Sequence, residues 1–145
     1  KEILILGAGG VVSSIIFALK KMRASKIIIS NRTKKKAEDL KILFKDLNIV
    51  DWGNIPNFDV IINATSIGLK EDDEIKLDYS NIGSNKLFYD VIYNPKQTNF
   101  LKKAKASGNI TENGKMMFIY QAHQAFTIWH ELMPTIDDNV IKLIE

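Results

Sequence analysis

The sequence predicts an α/β fold: a doubly wound parallel sheet of about six strands, helices on both faces, and a C-terminal helical segment. Three observations carry this. Short apolar runs alternate with amphipathic stretches, each about as long as a strand or a helix. The first run, Ile3-Leu4-Ile5-Leu6, passes directly into a glycine turn, Gly7-Ala8-Gly9-Gly10, where a helical pattern begins at once. A second run, Ile27-Ile28-Ile29, is β-branched and continuous, as the core strands of a parallel sheet are.

Taken in order, residues 2–6 read as a buried strand. From Gly10 to Met22 the apolar positions Val11, Ile15, Leu19 and Met22, joined by Val12 and Ile16, make one helix face. Lys20, Lys21 and Arg23 stand near its C-terminal end, where cations suit the helix dipole. Lys26–Ser30 is the second strand. The next helix spans about Lys34 to Asp46, with Ala37, Leu40, Leu43, Phe44 and Leu47 facing inward. A short strand at Asn48–Val50 and a loop holding Trp52, Gly53 and Pro56 precede the fourth strand, Asp59–Asn63. Lys70 to Lys76 is a charged, acid-rich exposed loop rather than a metal site, because nothing there fixes the carboxylates in a closed geometry. Leu87–Tyr93 forms the fifth strand, stopped by Asn94-Pro95. Thr98 to Ser107 is a helix ended by Gly108, and a sixth strand lies around Asn109–Thr111. A long helix spans Lys115 to Leu132 before Pro134, and a last one runs from Asp137 or Asp138 to Ile144. With right-handed crossovers and strand order 3-2-1-4-5-6, the turns after these strands share one carboxyl edge.

That edge holds the residues with chemistry to offer. Gly7 permits a tight turn, and Gly9 lacks the Cβ that would keep a pyrophosphate from the backbone. Free N–H groups at the start of the following helix would face that anion. The third glycine of the dinucleotide fingerprint would stand at position 12, which is Val12. The second strand ends in Asn31-Arg32-Thr33, where an NAD-selective site carries Asp or Glu for the ribose hydroxyls. A guanidinium can instead grip a phosphate with two hydrogen bonds, so Arg32 favours NADP. Lys34, Lys35 and Lys36 open the next helix against its dipole, and an anionic ligand would offset that cost. For Lys34 and Lys35 a solvated helix start is the simpler account. Ala64-Thr65-Ser66-Ile67-Gly68 supplies small polar residues against which a cofactor ribose can lie.

Composition narrows the alternatives. In 145 residues, 46% hydrophobic and 26% charged, there is enough apolar chain for one core, and no apolar run spans a bilayer. A cytoplasmic location fits, and no signal peptide is visible. Zero cysteines exclude disulfides, thiolate metal sites and a cysteine nucleophile. A net charge of +3 without an arginine-rich run or RNA-binding aromatics argues against nucleic acid. The chain opens without methionine inside a strand, which reads as a piece of a longer protein.

With these segments placed, the chain resembles the NADP-binding, Rossmann-like domain of shikimate dehydrogenase over essentially all 145 residues. The motifs are GAGG at Gly7–Gly10, NRT at Asn31–Thr33 with the basic residue Lys36, and NATS-x-G at Asn63–Gly68. D-x-x-Y-x-P-x-x-T follows from Asp90 to Thr98, then a glycine and helix with M-x-x-x-Q-A at Gly114, Met117, Gln121 and Ala122. The combination, in this order and spacing, is specific.

The resemblance implies that Gly7, Ala8, Gly9, Gly10 and Val11 wrap the pyrophosphate, and that Asn31, Arg32, Thr33 and Lys36 bind the 2′-phosphate side. Thr65, Ser66 and Val91 would sit by the nicotinamide half, with Gly114 and Met117 closing over it. Tyr93 and Gln121 match positions that reach the substrate, shikimate or 3-dehydroshikimate. The family's proton-transfer lysine and aspartate belong to an N-terminal substrate domain that no stretch here matches. Residues 1–145 are therefore expected to bind NADP(H) weakly and to catalyse nothing alone. His123 and His130 fall at no functional position of the family. A homodimer is compatible with this reading. Three alternatives stand beside it: a quinate/shikimate relative using NAD, a non-catalytic NADP-binding module, and the NADP domain of glutamyl-tRNA reductase. Arg32 speaks against the first, and the Asp90–Thr98 run and the Gln121 helix against the third.

Overall fold

In the computed structural model, which describes residues 1–144, strand and helix alternate from the start. The elements are β1 (Glu2–Leu6), α1 (Gly10–Lys21), β2 (Lys26–Ser30), α2 (Lys34–Leu43), β3 (Asn48–Val50) and β4 (Val60–Asn63). They continue with α3 (Tyr79–Ile82), β5 (Leu87–Asp90), α4 (Asn99–Ala106), β6 (Ile110–Glu112), α5 (Lys115–His130) and α6 (Asp138–Lys142). The six strands form one sheet in the order β3-β2-β1-β4-β5-β6, and every pairing is parallel. The expected doubly wound architecture is therefore present.

Alternation along the strands divides the core between two faces. Ile3 and Ile5 of β1, Ile27 and Ile29 of β2, and Ile62 of β4 are buried with Val12 and Ile16 of α1 and Ala37 and Leu40 of α2. Leu4, Leu6, Ile28, Ile61 and Phe88 face the other way, against Phe100, Leu101 and Ala104 of α4. Phe88 anchors that second layer, with ring centroids 5.2 Å from Phe100 and 5.9 Å from Phe58. Burying each such side chain stabilises the fold by about 2–3 kcal/mol. Val12 is fully buried in the first layer, so the missing third glycine is filled by core packing.

Several boundaries differ from expectation. Helix α1 ends at Lys21; Met22 caps it, Arg23 turns left-handed at φ 58°, and Met22 is 78% exposed instead of completing the apolar face. Helix α2 stops at Leu43, which is 71% exposed, while Phe44 leaves the helix and packs against the core beside buried Leu47. Strand β5 ends at Asp90, three residues early, because the Asp90 carboxylate takes the Ile92 N–H at 3.0 Å. The short helix α3 was not expected; its signal is Asp78, whose carboxylate accepts the Ser80 N–H at 3.2 Å. Helix α5 ends at His130, and Glu131 at φ 53° breaks it before Pro134. Among the described residues, no helix is long and apolar enough to cross a membrane.

Candidate functional site

Parallel pairing brings the ends of the strands level. Leu6 lies opposite Ser30 and Asn63, and Asn63 opposite Asp90. Main-chain hydrogen bonds carry the alignment past the strand ends. Gly7 N–H donates to Ser30 O at 2.8 Å, Ala64 N–H to Leu6 O at 2.8 Å, Val91 N–H to Asn63 O at 3.0 Å, and Gly114 N–H to Ile92 O at 3.1 Å. The glycine turn, the Asn31–Thr33 turn, the Ala64–Ser66 segment, Val91 and Gly114 thus share one edge. The sheet order reverses between β1 and β4, which is where ligands of such sheets bind.

Each glycine at this edge answers to a different constraint. Gly7 has φ +112°, and a Cβ there would stand 2.7 Å from Ala64 O. Apart from the adjoining residues and the helix's own main chain, nothing lies within 4 Å of where a Cβ on Gly9 or Gly10 would stand, so the space beside them is open. Gly9 caps α1 and its carbonyl accepts the Val12 N–H at 3.0 Å, which leaves the N–H groups of Gly10 and Val11 at the open end of the helix. Ala8 and Val11 are half-buried and pack back onto the core, which leaves main chain facing the open space. This backbone cradle fits an anion such as a cofactor pyrophosphate.

One strand over, Asn31 Nδ2 donates to Thr33 O at 2.8 Å and shapes the turn, and Arg32 and Lys36 are exposed beside it. Lys34 lies 3.4 Å from Asp51, and Lys35 lies 3.3 Å from Asp39 one helical turn on. Among the described residues, Arg32 and Lys36 have no carboxylate within ion-pair distance. The Ser30 hydroxyl donates to Asp51 O at 3.2 Å, tying the loop after β3 to the end of β2.

Under the nicotinamide-side candidates lies a buried polar network. Asn63, Asp90 and Thr98 are all essentially inaccessible to solvent. Asn63 Nδ2 donates to Asp90 Oδ1 at 3.0 Å and to Ile67 O at 3.0 Å. Its Oδ1 accepts the Thr65 hydroxyl at 2.7 Å and the Thr65 N–H at 3.0 Å. The Thr98 hydroxyl donates to Asp90 Oδ2 at 2.6 Å. Burial pushes the Asp90 carboxyl above its ordinary value, and the hydrogen bonds from Thr98, the Ile92 N–H and Asn63 only partly counter it. Asn63, Asp90 and Thr98 enter the sequence reading only as motif letters; Asn63 and Asp90 are signalled as polar residues that end apolar strands, and Thr98 as the cap of α4. Asp73, in the acidic loop, takes the N–H groups of Gly68 and Lys70, which hold its carboxyl below its usual range.

The remaining candidates spread from this edge along α5. Gly114 caps α5 and touches the end of β5: a Cβ on it would fall 2.0 Å from Val91 O. Tyr93 stacks on Phe118, with ring centroids 4.5 Å apart. Met117 lines an apolar groove of about 520 Å³ with Ile3, Val60, Ile62, Leu87 and Tyr89 on the α1 face of the sheet. Gln121 is exposed on α5, two turns past Gly114, and Ser66 is exposed beyond half-buried Thr65. Ile128, seven residues beyond Gln121 on the same helix, is 74% exposed. The structure therefore groups Gly7–Val11, Asn31–Lys36, Thr65, Ser66, Val91 and Gly114 at one edge, and sets Met117 and Gln121 on the helix leading away.

Comparison with known proteins shows which proteins the chain is similar to. A family model described as shikimate / quinate 5-dehydrogenase matches residues 1–88. The shikimate dehydrogenase (NADP(+)) of Pelagibacter ubique (strain HTCC1062) is 61% identical over 145 residues, covering 100% of this chain and 55% of that protein. A crystal structure of a shikimate dehydrogenase in complex with NADP+ superposes with a TM-score of 0.84 at 36% identity, covering 99% of this chain and 53% of the other. The quinate dehydrogenase of Corynebacterium glutamicum in complex with NAD gives 0.87 at 27% identity, covering 99% and 54%. The chain spans about half the length of the relatives it matches.

Proposed function

Because the chain belongs to the shikimate / quinate 5-dehydrogenase family, we propose that residues 1–145 form an NADP(H)-binding domain whose site is the carboxyl-edge crevice. The charge pattern after β2 carries this reading. Of four neighbouring cations, Lys34 and Lys35 are paired with carboxylates, and Arg32 and Lys36 keep their charge for a ligand. An NAD site would carry a carboxylate where Arg32 stands.

In this reading Gly7, Ala8, Gly9, Gly10 and Val11 enclose the pyrophosphate; the Gly7 N–H is held by Ser30 O, so the N–H groups offered to the anion come from the residues after it. Asn31, Arg32, Thr33 and Lys36 take the 2′-phosphate. Thr65, Ser66 and Val91 flank the nicotinamide, with Gly114 and Met117 beside it. NADPH, when bound, supplies the hydride; the protein supplies position and electrostatics. The complete protein reversibly reduces 3-dehydroshikimate to shikimate in aromatic biosynthesis, in the cytoplasm. Tyr93 and Gln121 reach toward the substrate, and Gln121 can both donate to and accept from vicinal hydroxyls. The proton-transfer lysine and aspartate lie on an N-terminal substrate domain outside these residues, so the 145-residue chain binds cofactor without turning over.

Calorimetric titration of the chain with NADP+ and NAD+ tests the reading. NADP+ binds more tightly, and Arg32→Ala removes the preference at a cost of about 1.5–3 kcal/mol, the worth of a charged hydrogen bond. Equal binding of the two nucleotides by the parent chain would overturn it. Gly9→Ala provides a second check. Its backbone (φ −84°, ψ −179°) suits any residue and nothing crowds the new methyl, so the melting temperature stays within about 2 °C. The methyl intrudes where the pyrophosphate would lie, so NADP+ affinity falls about tenfold or more. Unchanged affinity would place the phosphates elsewhere.

A further inference from the structure

Resting on the proposed NADP(H) reading, we infer that Asp51 sets how strongly the site prefers a phosphorylated nucleotide, by holding Lys34 away from it. Asp51 follows β3 directly, and two contacts fix it at the β2 end. The Ser30 hydroxyl donates to its main-chain oxygen at 3.2 Å, and its carboxylate lies 3.4 Å from Lys34 Nζ. Lys34 is the first residue of α2, immediately after Thr33, so its ammonium starts from the turn that presents Arg32. Lys35 is also paired, but with Asp39 on its own helix, an arrangement that any solvated helix can make. The Asp51–Lys34 pair instead joins two elements across the edge of the site, and it removes one of the cations best placed to meet a phosphate there. Both side chains are largely exposed, so the pair adds little to folding and can be altered without loss of structure.

Asp51→Asn frees Lys34 and removes a negative charge while leaving the Ser30 contact intact, because that contact uses the main chain. The expected result in calorimetry at low salt is NADP+ binding tighter by about two- to fivefold, with NAD+ binding unchanged. The gain shrinks at high ionic strength, as for any exposed charge. Lys34→Ala alone leaves NADP+ binding within about twofold of the parent, since the paired lysine contributes little; in the double variant most of the Asp51→Asn gain disappears, leaving only what the lost negative charge contributes by itself. The inference is overturned if Asp51→Asn leaves NADP+ affinity unchanged or weaker, if NAD+ gains equally, or if the gain persists in full without Lys34. If the parent chain prefers NADP+ and Asp51→Asn is silent, this inference fails alone. If the parent shows no preference, the NADP(H) reading fails and takes this inference with it.

Discussion

Gly114→Ala is expected to lower stability by about 3 kcal/mol or more, the largest loss any single methyl group should cause in this chain. The Gly114 backbone lies at φ −76°, which alanine adopts freely, so the cost is one of space. The added Cβ would stand 2.0 Å from Val91 O and 2.5 Å from its carbonyl carbon. Overpacking against a side chain costs about 1–3 kcal/mol because the neighbour can rotate away. Here the neighbour is main chain, held by the Val91 N–H bond to Asn63 O, so α5 must lift from the end of β5. Thermal unfolding should show a fall of at least about 6–12 °C for a domain of this size, and hydrogen exchange should quicken in α5. A melting temperature within 1 °C of the parent would mean that Gly114 and Val91 do not meet as described. Gly9→Ala is the internal control, an alanine at the same edge with empty space around it.

Asp90→Ala should cost about 3–5 kcal/mol, and Asp90→Asn far less. Removing the carboxylate strands three buried donors: the Asn63 amide, the Ile92 N–H and the Thr98 hydroxyl. Losing one partner from a buried polar cluster is costly because the groups left behind stay dehydrated and unpaired. An asparagine at 90 keeps the shape, accepts from Asn63 and Ile92 through its oxygen, and donates to the Thr98 oxygen through its amide. The two variants also differ in their response to pH. Burial raises the Asp90 carboxyl above its ordinary value, so the folded chain holds that proton more tightly than the unfolded chain does. The group's contribution is therefore complete below the unfolded carboxylate pKa of about 3.9 and declines as pH rises through the raised folded value. Asp90→Asn cannot ionise and escapes that decline. Its stability relative to the parent should improve as pH is raised from about 3 to 7 in urea unfolding. A difference that stays flat with pH would show that Asp90 ionises as readily inside the fold as outside it.

The elements that sequence reasoning placed best are those whose pattern is physically self-sufficient. Ile3–Leu6 and Ile27–Ile29 are apolar throughout because both faces of a central parallel strand are covered, and their bounds were legible to the residue. The sequence pattern carries β5 on to Tyr93 because Val91-Ile92-Tyr93 is as β-prone as what precedes it. What ends the strand is the Asp90 side chain capturing a main-chain N–H, an event set by tertiary packing. Met22 and Leu43 fit their helical stripes, yet both sit at the last turn, where the chain leaves the helix and the stripe no longer points at the sheet. Helix α3 has four residues, too few for any periodicity. Within the candidate site, the glycine turn and Arg32 could be read from chemistry alone. The reason for Gly114 could not, since it depends on how closely α5 approaches β5.

That approach makes Gly114 a fulcrum. Helix α5 is seated at its first turn on the main chain of β5 and extends sixteen residues from there, with no side chain buried beyond Ile119. Gln121, proposed to reach the substrate, lies seven residues along, about 10 Å at 1.5 Å per residue. A tilt of only 10° about Gly114 would swing Gln121 through about 1.8 Å, more than half the length of a hydrogen bond. The angular play left at one glycine contact therefore sets the positional tolerance of a side chain two helical turns away.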